Sequence, residues 1–227
     1  TYLVPTYGMD IIHTGGGANV ISSVDVSSIR FDGIYVNNTG TGSTTITATG
    51  TVIGGVGETD QTANADGIYA WNDTTATDLS ITAKDVTGLD DGIYAANNGT
   101  GSLSISVTGD VTSTSTDTSD GDYSYGIYAS NYGTDLTVAA NGDVTSNDRG
   151  LFVWNYGSGD TSITANGTVT ALNSAAIYAE NDQISTASNI TINAKNANGF
   201  DDGINAGNYG FGSTTITATG TVIGGAG

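Results

Sequence analysis

The sequence predicts an all-β fold: a right-handed parallel β-helix, a three-strand solenoid of about seven to eight coils. Three observations carry this. A 14-residue segment, GSTTITATGTVIGG, occurs at 42–55 and again unchanged at 212–225. A GIY-like triplet recurs seven times at spacings of 34, 25, 34, 24, 26 and 27 residues. An Asn stands four residues after the apolar anchor of every triplet.

The first strand of each coil opens on the triplet. Its anchors are Ile34, Ile68, Ile93, Ile127, Leu151, Ile177 and Ile204. Side chains alternate across a strand, so Ile93 and Ala95 point one way and Tyr94 the other. The Asn positions are Asn38, Asn72, Asn97, Asn131, Asn155, Asn181 and Asn208. Asn tolerates left-handed backbone at a corner, and its amide can bond to the same amide one coil above and below. The column reads as a structural asparagine ladder.

The second strand follows 11 to 15 residues later, as in Leu79-Ser80-Ile81-Thr82-Ala83 and Leu103-Ser104-Ile105-Ser106-Val107. Aliphatic residues alternate with Thr, Ser or Asn, as on a half-exposed strand. A third short piece follows a turn, as in Gly109-Asp110-Val111-Thr112 and Gly142-Asp143-Val144-Thr145. Tight hairpins have no place in this spacing, so the strands pair between coils. The right hand follows the general rule for parallel crossovers.

Two repeats carry about nine extra residues, at 54–66 (GGVGETDQTANAD) and 113–125 (STSTDTSDGDYSY). Both fall after the third strand and are expected to protrude from one corner. Residues 1–19 hold the sole Pro, Met and His and do not match the repeat. They are expected to cap the first coil, with 20–227 forming the helix. Because the sequence stops within a repeat at Gly227, it reads as a piece of a longer solenoid.

Composition narrows the function classes. Four Lys+Arg stand against 23 Asp+Glu, a formal net charge of −19. Arg30, Lys84, Arg149 and Lys195 cannot make a basic patch, which excludes a nucleic-acid partner and opposes docking on anionic membranes. With no Cys, stability must come from regular packing.

The acidic, Cys-free texture of GIYAxN followed by xLTITATGTV resembles the passenger region of Gram-negative autotransporters (type V secretion). The resemblance spans roughly Ile34 to the end and rests on repeat texture. It implies a right-handed β-helix exported through a C-terminal outer-membrane barrel, which is absent here, then displayed on the bacterial surface or secreted. Membrane attachment would run only through that barrel. Passengers of this kind act as adhesins, aggregation factors or host-directed virulence factors.

Tyr35, Tyr69, Tyr94, Tyr128, Phe152 and Tyr178 are expected to form an outward column, and Tyr132, Tyr156 and Tyr209 a second, with Trp71 and Trp154 nearby. Such a stripe offers large contact area to a host receptor, a matrix protein or a glycan. The competing reading is mutual stacking that stabilises the sheet. Asp32, Asp66, Asp91 and Asp202 precede the triplets. Stacked carboxylates would repel, and Ca²⁺ would relieve this, but solvent-facing turn aspartates explain them more simply. No cofactor is otherwise implied. His13 lies outside the repeats, so Ser-His-Asp chemistry has no base, and an enzyme is not expected. A polysaccharide lyase would need more basic residues, and a glycosidase carboxylate pair is the remote alternative. The reading is an extracellular binding module, with self-association or a passive stalk as rivals.

Overall fold

The structure, a computed structural model, describes residues 7–60, 63–116, 123–182 and 188–225. Among these it is all-β, a parallel solenoid of eight coils. The first coil comprises β1 (Met9–His13), β2 (Asn19–Ser23) and β3 (Val26–Ser27); the second, β4 (Ile34–Asn38) and β5 (Thr44–Ile53). The third contains β6 (Ile68–Asn72) and β7 (Leu79–Gly88), and the fourth β8 (Ile93–Asn97), β9 (Leu103–Val107) and β10 (Val111–Ser113). Then follow β11 (Tyr125–Asn131), β12 (Leu136–Ala140) and β13 (Val144–Ser146); β14 (Arg149–Asn155) and β15 (Thr161–Ala171); and β16 (Ile177–Asn181) and β17 (Ile190–Asn198). The eighth coil is β18 (Ile204–Asn208), β19 (Thr214–Ala218) and β20 (Val222–Ile223).

The triplet strands stack into one sheet in the order β1-β4-β6-β8-β11-β14-β16-β18. All other strands belong to a second, 12-stranded sheet. Three separate strands per coil are therefore not universal. In β5, β7, β15 and β17 the second and third pieces run on as one strand. The pairing of β5 with β7 shifts register between Ala48 and Thr51, and that of β15 with β17 between Ala165 and Thr168. A bulge of this kind bends a strand without ending its ladder.

Register is set by what points inward. Ile34, Ile68, Ile93, Ile127, Leu151 and Ile177 are wholly buried, and so are Ile46, Ile81, Ile105, Val138, Ile163 and Ile192. A one-residue slip would turn each row to solvent. Glycine opens the triplet for a steric reason. A Cβ on Gly92 would lie 2.5 Å from the Gly126 carbonyl oxygen and 2.4 Å from Val111 Cγ1.

The helix begins earlier than residue 20. Strand β1 pairs in register with β4, Met9 on Ile34, Ile11 on Val36 and His13 on Asn38. MDIIH keeps the in-out alternation without the triplet, which hid it from the repeat count. Residues 1–6 lie outside the described residues.

The asparagine ladder is continuous from Asn38 to Asn155. Each Nδ2 donates to the next Oδ1: Asn38 to Asn72 at 3.2 Å, Asn72 to Asn97 at 3.1 Å, Asn97 to Asn131 at 3.0 Å and Asn131 to Asn155 at 3.5 Å. Where Thr replaces Leu at the head of the second strand, its hydroxyl joins in. Thr44 Oγ1 donates to Asn72 Oδ1 at 2.7 Å, and Thr161 Oγ1 to Asn181 Oδ1 at 2.5 Å. The left-handed backbone expected of these asparagines is absent: no described non-glycine residue has positive φ. Their selection rests on the amide alone.

Candidate functional site

Tyr35, Tyr69, Tyr94 and Tyr128 stand at equivalent positions of β4, β6, β8 and β11, and register stacks them. Consecutive centroids are 5.0, 5.0 and 4.6 Å apart, with interplanar angles of 9°, 4° and 2°. Phe152 and Tyr178 extend the column at 5.3 and 5.1 Å, and Tyr7 joins its other end at 5.0 Å. Each interior ring therefore has both faces covered by its neighbours. What the spine presents outward is ring edge and hydroxyl. Burial pushes the Tyr69 hydroxyl up to about 12 and raises those of Tyr94 and Tyr128 as well. At the far end the Tyr178 hydroxyl donates to Glu180 Oε2. The Arg149 guanidinium lies 4.9 Å from the Phe152 centroid and 5.1 Å from that of Tyr178.

The second aromatic group is compact. Tyr132 stacks on Tyr156 at 4.4 Å and 9°, and Trp154 on Tyr156 at 4.7 Å and 24°. Trp154 also meets the spine edge-on, 5.7 Å from Phe152 at 82°. Tyr132 is 51% exposed. Trp71 shares an outward row with Trp154, but Ala96 and Ser130 separate them. Of the eleven aromatic residues singled out in the sequence, the structure assembles six into the spine and brings Trp154 together with Tyr132 and Tyr156, while Tyr209, expected in that second column, and Trp71 stack in neither.

The aspartates have a function that sequence reading missed. Asp32, Asp66 and Asp91 are buried and stack on successive coils, and each accepts a main-chain N–H from the next coil. Asp66 N donates to Asp32 at 2.7 Å, Asp91 N to Asp66 at 3.0 Å and Tyr125 N to Asp91 at 2.7 Å. Asp85, Asp110 and Asp143 do the same at a second corner, and Asp78, Asp135 and Asp160 at a third. The signal was present as an Asp recurring at each corner on several coils, but a bond from the following coil is visible only once the coils are stacked.

Asp202 stands apart, exposed and bonded to Asn205 Nδ2 at 2.8 Å. Burial raises Asp32 to about 6. It raises Asp66 well above the usual carboxylate range, reinforced by the charges of Asp32 and Asp90. Carboxylate oxygens of Asp66, Asp90 and Asp91 lie within 4.8 Å of one another, so among the described residues these three could hold a cation.

His13 sits level with the asparagine ladder and bonds through Nε2 to the Gly17 carbonyl at 2.9 Å. A depression of about 160 Å³ beside Lys195, lined by Ala165, Asn193 and Thr217, lies on the second sheet, away from both aromatic groups. Of the two extended corners, 54–66 is described except for 61–62, and 113–125 except for 117–122. The first is strapped to the preceding coil by Val56 N to Ser28 O at 2.9 Å, Gly57 N to Ile29 O at 3.0 Å and Arg30 to Glu58 at 3.7 Å.

No family model matches the chain, and no match exists among curated proteins or solved structures.

Proposed function

We propose that the chain is a surface-displayed or secreted binding rod, an adhesin of the autotransporter-passenger kind. The observation that carries the reading is the aromatic surface of the first sheet: a stacked spine with the Tyr132–Tyr156–Trp154 group beside it. Mutual stacking holds the spine rings in one orientation, so contact costs little side-chain entropy. The formal charge of −19 keeps such rods apart and directs them to neutral or basic partners. Beneath that surface the buried asparagine ladder ties successive coils together.

The test is a pull-down of host surface and matrix components on the immobilised chain, paired with analytical ultracentrifugation. A saturable partner lost when Tyr132 and Tyr156 are replaced by Ser supports the binding rod. Concentration-dependent dimers without a partner would replace it with self-association, and neither signal would leave a passive stalk.

A further inference from the structure

We propose that the corner column Asn98–Tyr132–Tyr156–Asp182 binds an uncharged saccharide. The inference rests on the binding-rod reading and supplies its ligand class. The four residues follow the ladder asparagines on successive coils, and one hydrogen bond repeated down the column fixes their stacking. Asn98 N donates to Asn72 O at 3.0 Å, Tyr132 N to Asn97 O at 2.9 Å, Tyr156 N to Asn131 O at 2.8 Å and Asp182 N to Asn155 O at 3.0 Å. Two stacked rings are thus bracketed by an amide one coil before and a carboxylate one coil after.

The site differs from the spine in what it exposes. Tyr69 is covered on one face by Tyr35 and on the other by Tyr94. Tyr132 stacks on Tyr156 alone, and the residue on its other side is the shorter Asn98. With half its surface exposed, it offers a ring face where the spine offers edges. A pyranose has an apolar C–H face for such a ring and a rim of hydroxyls. Seated on that face, the sugar can reach the Asn98 amide with its hydroxyls, while Asp182, beyond Tyr156, sets the charge at the other end of the column. Chains of such rings repeat at a length close to the coil spacing of roughly 4.8 Å.

Charge selects among saccharides. Asp182 acts on the Tyr156 hydroxyl and Glu180 lies on the neighbouring strand β16, so a uronate or sulfate would meet like charge. A peptide is favoured less by the shape. Peptides dock by adding to an open sheet edge or by filling a groove, and here β11 and β14 are paired on both sides.

The experiment titrates the chain by calorimetry with neutral hexose and N-acetylhexosamine oligomers, a hexuronate oligomer and a lysine-rich peptide. Saturable binding of a neutral oligomer is expected, weakened roughly tenfold in Tyr132→Ala, the loss of about one ring contact. Tyr132→Phe should retain it, because it keeps the ring face, and Thr82→Ala on the opposite sheet should leave it unchanged. Binding of the hexuronate or the peptide alone overturns the assignment, as does equal affinity in Tyr132→Ala. If every oligomer is silent but the pull-down yields a protein partner, the ligand class falls and the binding rod stands. If both are silent, both fall.

Discussion

Replacing Asn97 by Ala removes the middle rung of the ladder. Asn97 is wholly buried, receives Asn72 Nδ2 at 3.1 Å and donates to Asn131 Oδ1 at 3.0 Å. Its neighbours are not left bare: Asn72 Nδ2 keeps the Asp78 carbonyl at 3.0 Å, and Asn131 Oδ1 keeps Gly133 N at 3.4 Å. The loss is therefore the two ladder bonds at about 1 kcal/mol each, the longer bonds to Gly101 O, Ser102 O and from Gly99 N, all at 3.3 Å, and a small cavity, about 2–4 kcal/mol in all. For a chain of this size that lowers Tm by roughly 5–15 °C. Asn208 is partly exposed and has main-chain partners only, the Ser188 and Ser213 carbonyls through Nδ2 and the Gly210 N–H through Oδ1, so changing it to Ala should cost less, about 1 kcal/mol. Asn97→Asp keeps the shape but replaces the donor with a second acceptor facing Asn131 Oδ1, so at neutral pH it should be worse than Ala. The assay is urea unfolding followed by Trp fluorescence and circular dichroism. If Asn97→Ala and Asn208→Ala cost the same, the ladder is not a cooperative element and the reasoning fails.

Three further outcomes follow from the same geometry. Asp32 and Asp66 have raised folded-state pKa values, so their contribution to stability is fully present below about 4 and is lost as pH rises through about 6 and beyond. The urea midpoint should be higher at pH 5 than at pH 8, and Asp66→Asn, which still accepts Asp91 N, should flatten that dependence. Tyr94→Ala breaks two stacked pairs and should cost about 1–3 kcal/mol beyond its area, whereas Tyr132→Ala breaks one and should cost about half as much; thermal melts of both variants compare them. Gly92→Ala drives a Cβ into Gly126 and Val111 and should cost about 1–3 kcal/mol. Gly17→Ala, where a Cβ meets nothing within 4 Å, should be near neutral in the same melts.

Much of the fold could be read from the sequence because each coil repeats one pattern. Ile93, Tyr94, Ala95 and Asn97 state in five positions which side chains go in, which go out and where the ladder runs. β1 escaped because His13 stands where the other coils place Asn, and no Gly-Ile-Tyr precedes it. The merging of two strands in β5 was hidden because Gly50 reads equally as a corner or a bulge. The aromatic surface was legible only as a direction. That Tyr69 points outward follows from alternation, but that its faces are consumed by Tyr35 and Tyr94 follows from coil spacing. The corner aspartates were misread for the same reason. As isolated turn residues they suggest solvent or a cation, and only stacking shows the amide that each one holds.

The direction of those corner bonds has a consequence for how the rod is built. At all three corners the acceptor belongs to the earlier coil and the N–H to the later one. A main-chain N–H is generic, since nearly every residue carries one, whereas a carboxylate at a fixed place is specific. The residue that aligns each of these corners therefore lies in the coil before it, whereas in the asparagine ladder the acceptor lies in the coil after. Losing a corner Asp thus frees a main-chain N–H one coil further along the sequence than the residue that was changed.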